Sequence, residues 1–178
     1  MHESPVPSPW VVRWAGLVPE GGEVLDVACG HGRHMRFFRG RGHAVTGVDR
    51  SPEAIAAVRA VGEAVQADIE NGPWPFADRR FAAVVVTHYL WRALLPTIVA
   101  AVAPGGVLLY ETFAAGNETV GKPSRPDFLL QPGELLSACA GLRVVAYEDG
   151  FLSGPDRFVQ RIAAVRIQPG SSPPRHLL

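Results

Sequence analysis

The sequence predicts an α/β fold, a three-layer αβα sandwich built on one mostly parallel sheet of six or seven strands. Three observations carry this expectation. Short apolar runs alternate with amphipathic stretches through the first hundred residues. The first runs are apolar throughout, as suits strands covered on both faces. Near the C-terminus two alternating segments, joined by a connection rich in Gly and Pro, read as a hairpin. A chain of 178 residues is long enough for one domain with a proper core and too short for two of ordinary size.

The elements follow in order. Trp10 and Trp14, four apart, mark an N-terminal helix. Residues 24–28 are the first strand. A helix over 32–39 sets Met35 and Phe38 on one face and Arg33, Arg36 and Arg39 on another, and Gly40 and Gly42 stop it. The second strand is 44–48, and Ser51 and Pro52 open a helix running to about residue 60 as N-cap and first position. A short third strand spans 64–67, the Pro- and Gly-rich stretch 71–75 is a loop, and 81–87 is strand four. Residues 90–102 read as a helix that Pro96 kinks or splits. Pro104-Gly105-Gly106 turns the chain into strand five, 107–113. The long loop 114–132 has the length of a functional segment. A helix over 132–140 starts at Pro132, and strands 142–148 and 158–167 close the fold. The expected organisation is an N-terminal extension with a helix over the ligand pocket (1–22), one domain (23–167) and a flexible Pro/Ser-rich tail (168–178).

Bulk properties exclude several classes of function. Lys plus Arg number 17 and Asp plus Glu number 17, a balance that argues against a dedicated nucleic-acid binder, which needs a concentrated positive face. Apolar runs such as 81–87 and 107–110 fall far short of the roughly 20 residues that cross a bilayer. The N-terminus has neither a basic start nor an apolar signal core. Cys29 and Cys139 read as free thiols in a reducing compartment, which implies a cytoplasmic protein. No heptad marks an interface, so a monomer or weak homodimer is expected.

The chemistry concentrates after the first three strands. Gly30 and Gly32 let the backbone turn sharply and approach a ligand closely. Asp49, at the tip of strand two, can accept from both hydroxyls of a ribose. Asp68, after strand three, can accept from an adenine amino group. A dinucleotide fingerprint needs a third glycine where this chain has Met35. Asp26 within strand one suits the ammonium of an amino-acid moiety rather than a pyrophosphate. These features together favour S-adenosylmethionine over a nicotinamide dinucleotide.

From Glu23 to about Ile167 the sequence resembles the class I S-adenosylmethionine-dependent methyltransferases. The resemblance rests on 24–33 (Val-Leu-Asp-Val-Ala-Cys-Gly-His-Gly-Arg), Gly47-Val48-Asp49-Arg50-Ser51, Ala67-Asp68-Ile69 and Pro104-Gly105-Gly106. Ala28 departs from the glycine usual at its position and implies closer packing with binding retained. Gly32-Arg33-His34 and the compact build look like the small bacterial enzymes related to the tellurite-resistance methyltransferases. The resemblance implies a Rossmann-like sheet ordered 3-2-1-4-5-7-6 with strand seven antiparallel. It places the cofactor against Asp26, Ala28, Cys29, Gly30, Gly32, Arg33, Asp49, Arg50, Ala67, Asp68, Ile69, Thr87 and His88.

The expected reaction is in-line methyl transfer to a small molecule, releasing S-adenosylhomocysteine. His88 is the candidate general base, and Tyr89 orients the acceptor or packs on the cofactor. Glu111 and Asn117, in a candidate substrate lid after strand five, and Trp10 and Trp14 are candidate substrate contacts. Glu111 reads equally as a solvated charge, and the two indoles as core. A tRNA or protein methyltransferase working with a partner, and a non-catalytic binding protein, are the alternatives. His31 and His34 lack a third ligand at metal spacing, so no metal is expected.

Overall fold

In the computed structural model residues 6–172 and 174–178 are described. Residues 1–5, part of the expected N-terminal extension, and Pro173 in the expected tail lie outside them. The strands are β1 (Val24–Val27), β2 (Val45–Asp49), β3 (Glu63–Gln66), β4 (Phe81–Thr87), β5 (Val102–Phe113), β6 (Arg143–Leu152) and β7 (Arg157–Val165). They form one sheet in the order β3-β2-β1-β4-β5-β7-β6. β1 to β5 run parallel, and β7 lies antiparallel to both β5 and β6. The helices are α1 (Pro9–Trp14), α2 (Arg33–Gly40), α3 (Pro52–Val58), α4 (Leu95–Ala100) and α5 (Glu134–Ala138).

Both faces of the central strands are buried, and neighbouring residues serve opposite cores. In β4, Val84 and Val86 join Leu25, Leu108, Ile98 and Leu135 in one cluster. Ala83 and Val85 join Val24, Leu109, Trp10, Met35 and Phe38 in the other. This two-sided burial is why the strands read as continuous apolar runs. The strand order reverses between β1 and β4, so the connections leaving those two strands diverge and open a crevice at their C-terminal ends.

Three elements depart from expectation, each for a local reason. Pro96 falls in the first turn of α4, where its missing N–H costs nothing, and a 3-10 turn (Arg92–Leu94) precedes it; the long helix over 90–102 is therefore short. α5 begins at Glu134 because Gly133, at φ 73°, is left-handed and keeps Pro132 outside the helix. Pro104-Gly105-Gly106 lies inside β5, whose register against β4 shifts there, while Gly105 N–H donates to Arg166 O and so holds the irregular stretch to the chain beyond β7. The hairpin of β6 and β7 also extends further toward its tip, with Leu152 opposite Arg157.

The turn between β1 and α2 sets how closely α2 can sit. Gly32 has φ 75°, and a Cβ there would collide with Val58 of α3, which is fully buried. Gly32→Ala should combine left-handed strain with overpacking and lower stability by about 1–3 kcal/mol. A fall in Tm of about 4–8 °C by calorimetry is the midrange expectation at roughly 2–4 °C per kcal/mol; an unchanged Tm would contradict the packing described.

Candidate functional site

The crevice is lined by the loops that follow β1, β2, β3 and β4. Ala28 takes φ 52°, so alanine adopts the left-handed turn that glycine makes easily, and Gly30 follows at φ 50°. The carboxylate of Asp49 fixes this loop: one oxygen accepts from Gly30 N–H at 2.9 Å and the other from Ser51 N–H at 2.9 Å. Ser51 in turn caps α3, accepting from Ala54 N–H. Asp49 thus ties the first turn to the second. A carboxylate has about four acceptor sites, so capacity remains on it for two hydroxyls.

Beside it lies a cavity of about 180 Å³ lined by Ala28, Asp49, Arg50, Ala67, Asp68, Ile69, Glu70 and Tyr89. Six of these are the expected cofactor contacts from the first three loops. Asp68 is exposed and held in a turn by the N–H groups of Glu70 and Asn71 and by the Asn71 amide, which keep its carboxyl below the ordinary range. The Tyr89 hydroxyl is enclosed here beside the Glu70 side chain. Burial and the nearby Glu70 carboxylate raise its pKa. Tyr89 therefore lines the same cavity as Asp49 and Asp68. Glu70 was not singled out in the sequence, because a polar residue in a turn carries no distinguishing pattern.

The other arm of the crevice is formed after β1 and β4. The Arg33 guanidinium donates to Thr87 Oγ1 at 3.2 Å, joining the start of α2 to the end of β4. His88 takes φ 54°, its N–H donates to Glu111 O, and its exposed ring stacks on Phe113 with centroids 5.2 Å apart. Cys29 is buried against the base of the loop. Among the described residues no three His, Cys, Asp or Glu side chains gather as a metal site, and no helix is long and apolar enough to cross a membrane.

Four substrate candidates occupy different places. Trp10 and Trp14 are 1% and 4% exposed and belong to the core; Trp10 Nε1 donates to Ile162 O. Their spacing reflects packing, the other reading it allowed. Glu111 is neither a lid residue nor a solvated charge. It lies buried in β5, accepting from Ser8 Oγ at 2.9 Å and pairing with Arg161 at 3.2 Å. Asn117 is 1% exposed, donating to Pro123 O and accepting from Phe158 N–H, so it pins the loop to β7. The exposed Glu118 stays in the loop and accepts from Gly116 N–H.

A buried polar chain, without a contiguous signature in the sequence, runs behind the crevice. His34 is 2% exposed; its Nε2 accepts from Ser8 N–H at 3.1 Å, and its Nδ1 lies 4.0 Å from Asp26 Oδ2. Ser8 Oγ accepts from Trp10 and Val11 N–H at the start of α1 and donates to Glu111. Arg161 continues to Glu148 and packs over the Trp10 ring. Signals existed: Ser8-Pro9 repeats the Ser51-Pro52 capping pattern, and His34 sits four residues before Phe38 on the buried face of α2.

Burial, then the nearby positive Arg33 and then His88, lower the His34 pKa to about 3. The folded chain keeps this imidazole neutral, whereas the unfolded chain takes up a proton near pH 6.5. A depressed histidine contributes stability that is full above the unfolded value and is lost as pH falls toward the folded one. Between pH 6.5 and 5 the wild type should therefore lose stability faster than His34→Asn, by up to one proton in the slope of unfolding free energy against pH. Parallel urea-unfolding curves for the two proteins across that range would contradict the neutral buried ring.

Comparison with known proteins agrees with this geometry. Residues 24–106 match a family described as a methyltransferase domain, a span that contains all four sequence motifs. A malonyl-[acyl-carrier protein] O-methyltransferase of Serratia marcescens is 37% identical over 106 residues, which cover 54% of this chain and 40% of that protein. The chain thus spans well under half of this relative's length. TehB from Haemophilus influenzae superposes with a TM-score of 0.72 at 20% identity, over 90% of this chain and 62% of TehB. A SAM-dependent methyltransferase from Methanosarcina mazei superposes at 0.68 and 15% identity, over 92% and 99% of the two chains. At these identities the structures speak for the fold. Fold, motifs and family match agree on the resemblance to class I S-adenosylmethionine-dependent methyltransferases, TehB among them.

Proposed function

We propose that this chain is an S-adenosylmethionine-dependent methyltransferase that acts on a small-molecule acceptor. The observation that carries the reading is the crevice at the β1–β4 reversal. There the Asp49-tethered loop meets a cavity lined by residues that end or follow four successive parallel strands, Ala28, Asp49, Asp68 and Tyr89 among them. The residues fit the group. Asp49 retains acceptor capacity for ribose hydroxyls, Ile69 and Ala67 offer apolar surface to a base, and Asp26 suits an ammonium. When bound, S-adenosylmethionine supplies a methyl group activated on a sulfonium.

The chain's own residues position the partners. Proximity and orientation alone supply roughly 7–11 kcal/mol in favourable cases, so an attacking group held in line needs little further help. His88 stands exposed at the end of β4, braced by Phe113, where it can take a proton from an acceptor hydroxyl as the oxygen is methylated. The Serratia relative is named for methyl transfer to oxygen. An oxygen acceptor is therefore the class we favour here. The two cysteines are buried and unpaired with each other, which suits a reducing cytoplasm.

Calorimetric titration with S-adenosylhomocysteine tests the cofactor assignment. Wild type should bind, and Asp49→Ala should bind at least about tenfold more weakly, since two hydrogen bonds to a charged group are lost. Equal affinity would remove Asp49 from the site. For the base, His88→Ala should lower kcat about 10²-fold or more with an oxygen acceptor while changing cofactor affinity far less. Undiminished turnover would refute that role.

A further inference from the structure

Resting on the methyltransferase reading, we propose that His34 is a positioning residue for the amino-acid end of the donor, acting through Asp26 and locked in place by Ser8. The Ser8 N–H can only donate, so the His34 Nε2 that receives it at 3.1 Å carries a lone pair. In a neutral ring the proton then sits on Nδ1. That N–H faces the Asp26 carboxylate, 4.0 Å away, with both side chains almost wholly buried. A dipole aimed at a carboxylate in such surroundings orients it without cancelling its charge, as a protonated imidazole would. A neutral ring adds no positive charge beside Asp26, so the carboxylate is left for a ligand ammonium to meet.

The position of the lock supports the assignment. Ser8 is 4% exposed and its hydrogen bonds reach three elements: His34 on α2, the first N–H groups of α1, and Glu111 on β5. Arg161 then satisfies the second oxygen of Glu111. The residue before α1 is thereby tied to α2 and to β5. Arg33 at the start of α2 and His88 after β4 lie close enough to act on the charge of the His34 ring. A histidine that served packing alone would have no need of a fixed tautomer pointed at a residue of the cofactor strand.

Two ligands separate this role from a structural one. S-Adenosylhomocysteine carries the ammonium, and methylthioadenosine shares its nucleoside and sulfur but lacks the amino-acid end. His34→Leu should weaken S-adenosylhomocysteine binding about tenfold by calorimetry and leave methylthioadenosine affinity within about twofold. His34→Asn keeps an amide donor near the Nδ1 position and should recover most of the loss. Equal weakening for both ligands, no weakening for either, or no recovery with asparagine would overturn the proposal. The asparagine variant gives the same test if the leucine variant does not fold, since its ratio of the two affinities should stay near that of wild type. Wild type that binds neither ligand would instead overturn the cofactor reading on which the proposal rests.

Discussion

The carboxylate of Asp49 holds the rest of the site in place. It sits at the end of β2 yet accepts from Gly30 N–H in the turn after β1 and from Ser51 N–H at the start of α3. Without that tether the left-handed turn through Ala28, Gly30 and Gly32 has little to define its path, because side chains as small as these make few contacts. With it, α2 and α3 leave the sheet at fixed angles, and Val58 packs where Gly32 leaves room. The cavity that holds Tyr89, Asp68 and Ile69 is then a consequence of where two strands end.

A second set of buried polar groups stabilises the opposite arm. Ser8, Glu111 and Arg161 form a chain from the segment before α1 to β5 and β7, and Arg161 stacks over Trp10. A buried carboxylate is costly unless paired and hydrogen-bonded, and here Glu111 is both. Such a network gives little net stability over an apolar packing of the same volume. Its effect is placement: α1 is held against β5 and β7, and the backbone carbonyl of Glu111 accepts the N–H of His88, which stands in a left-handed conformation at the mouth.

The fold was largely legible because its central strands are buried on both faces. The apolar runs of β1 and β4 have no other use in a short chain, and the glycine turn with Asp49 and Asp68 pointed to S-adenosylmethionine rather than a dinucleotide. What escaped depends on contacts made far along the chain. Glu111 and Ser8 are 103 residues apart, and Asn117 reaches Phe158 across 41, so neither gave a local sign of burial. Pro104-Gly105-Gly106 has the composition of a turn, but its pairing to the chain beyond β7 keeps it within β5 as an irregular stretch. Trp10 and Trp14 have the spacing of a core face and of a lid alike, and only the tertiary packing chooses. His34 was hidden by the arginines around it, which mark α2 as a solvated surface except on the one face where His34, Met35 and Phe38 point inward.

A crystal structure with S-adenosylhomocysteine would test the central claim most directly. Ribose hydroxyls are expected on Asp49, the base in the cavity with Ile69 and Tyr89, the amino group at Asp26, and His34 still bonded to the Ser8 N–H behind it. A ligand bound elsewhere, or in the crevice with its amino-acid end turned away from Asp26, would contradict it.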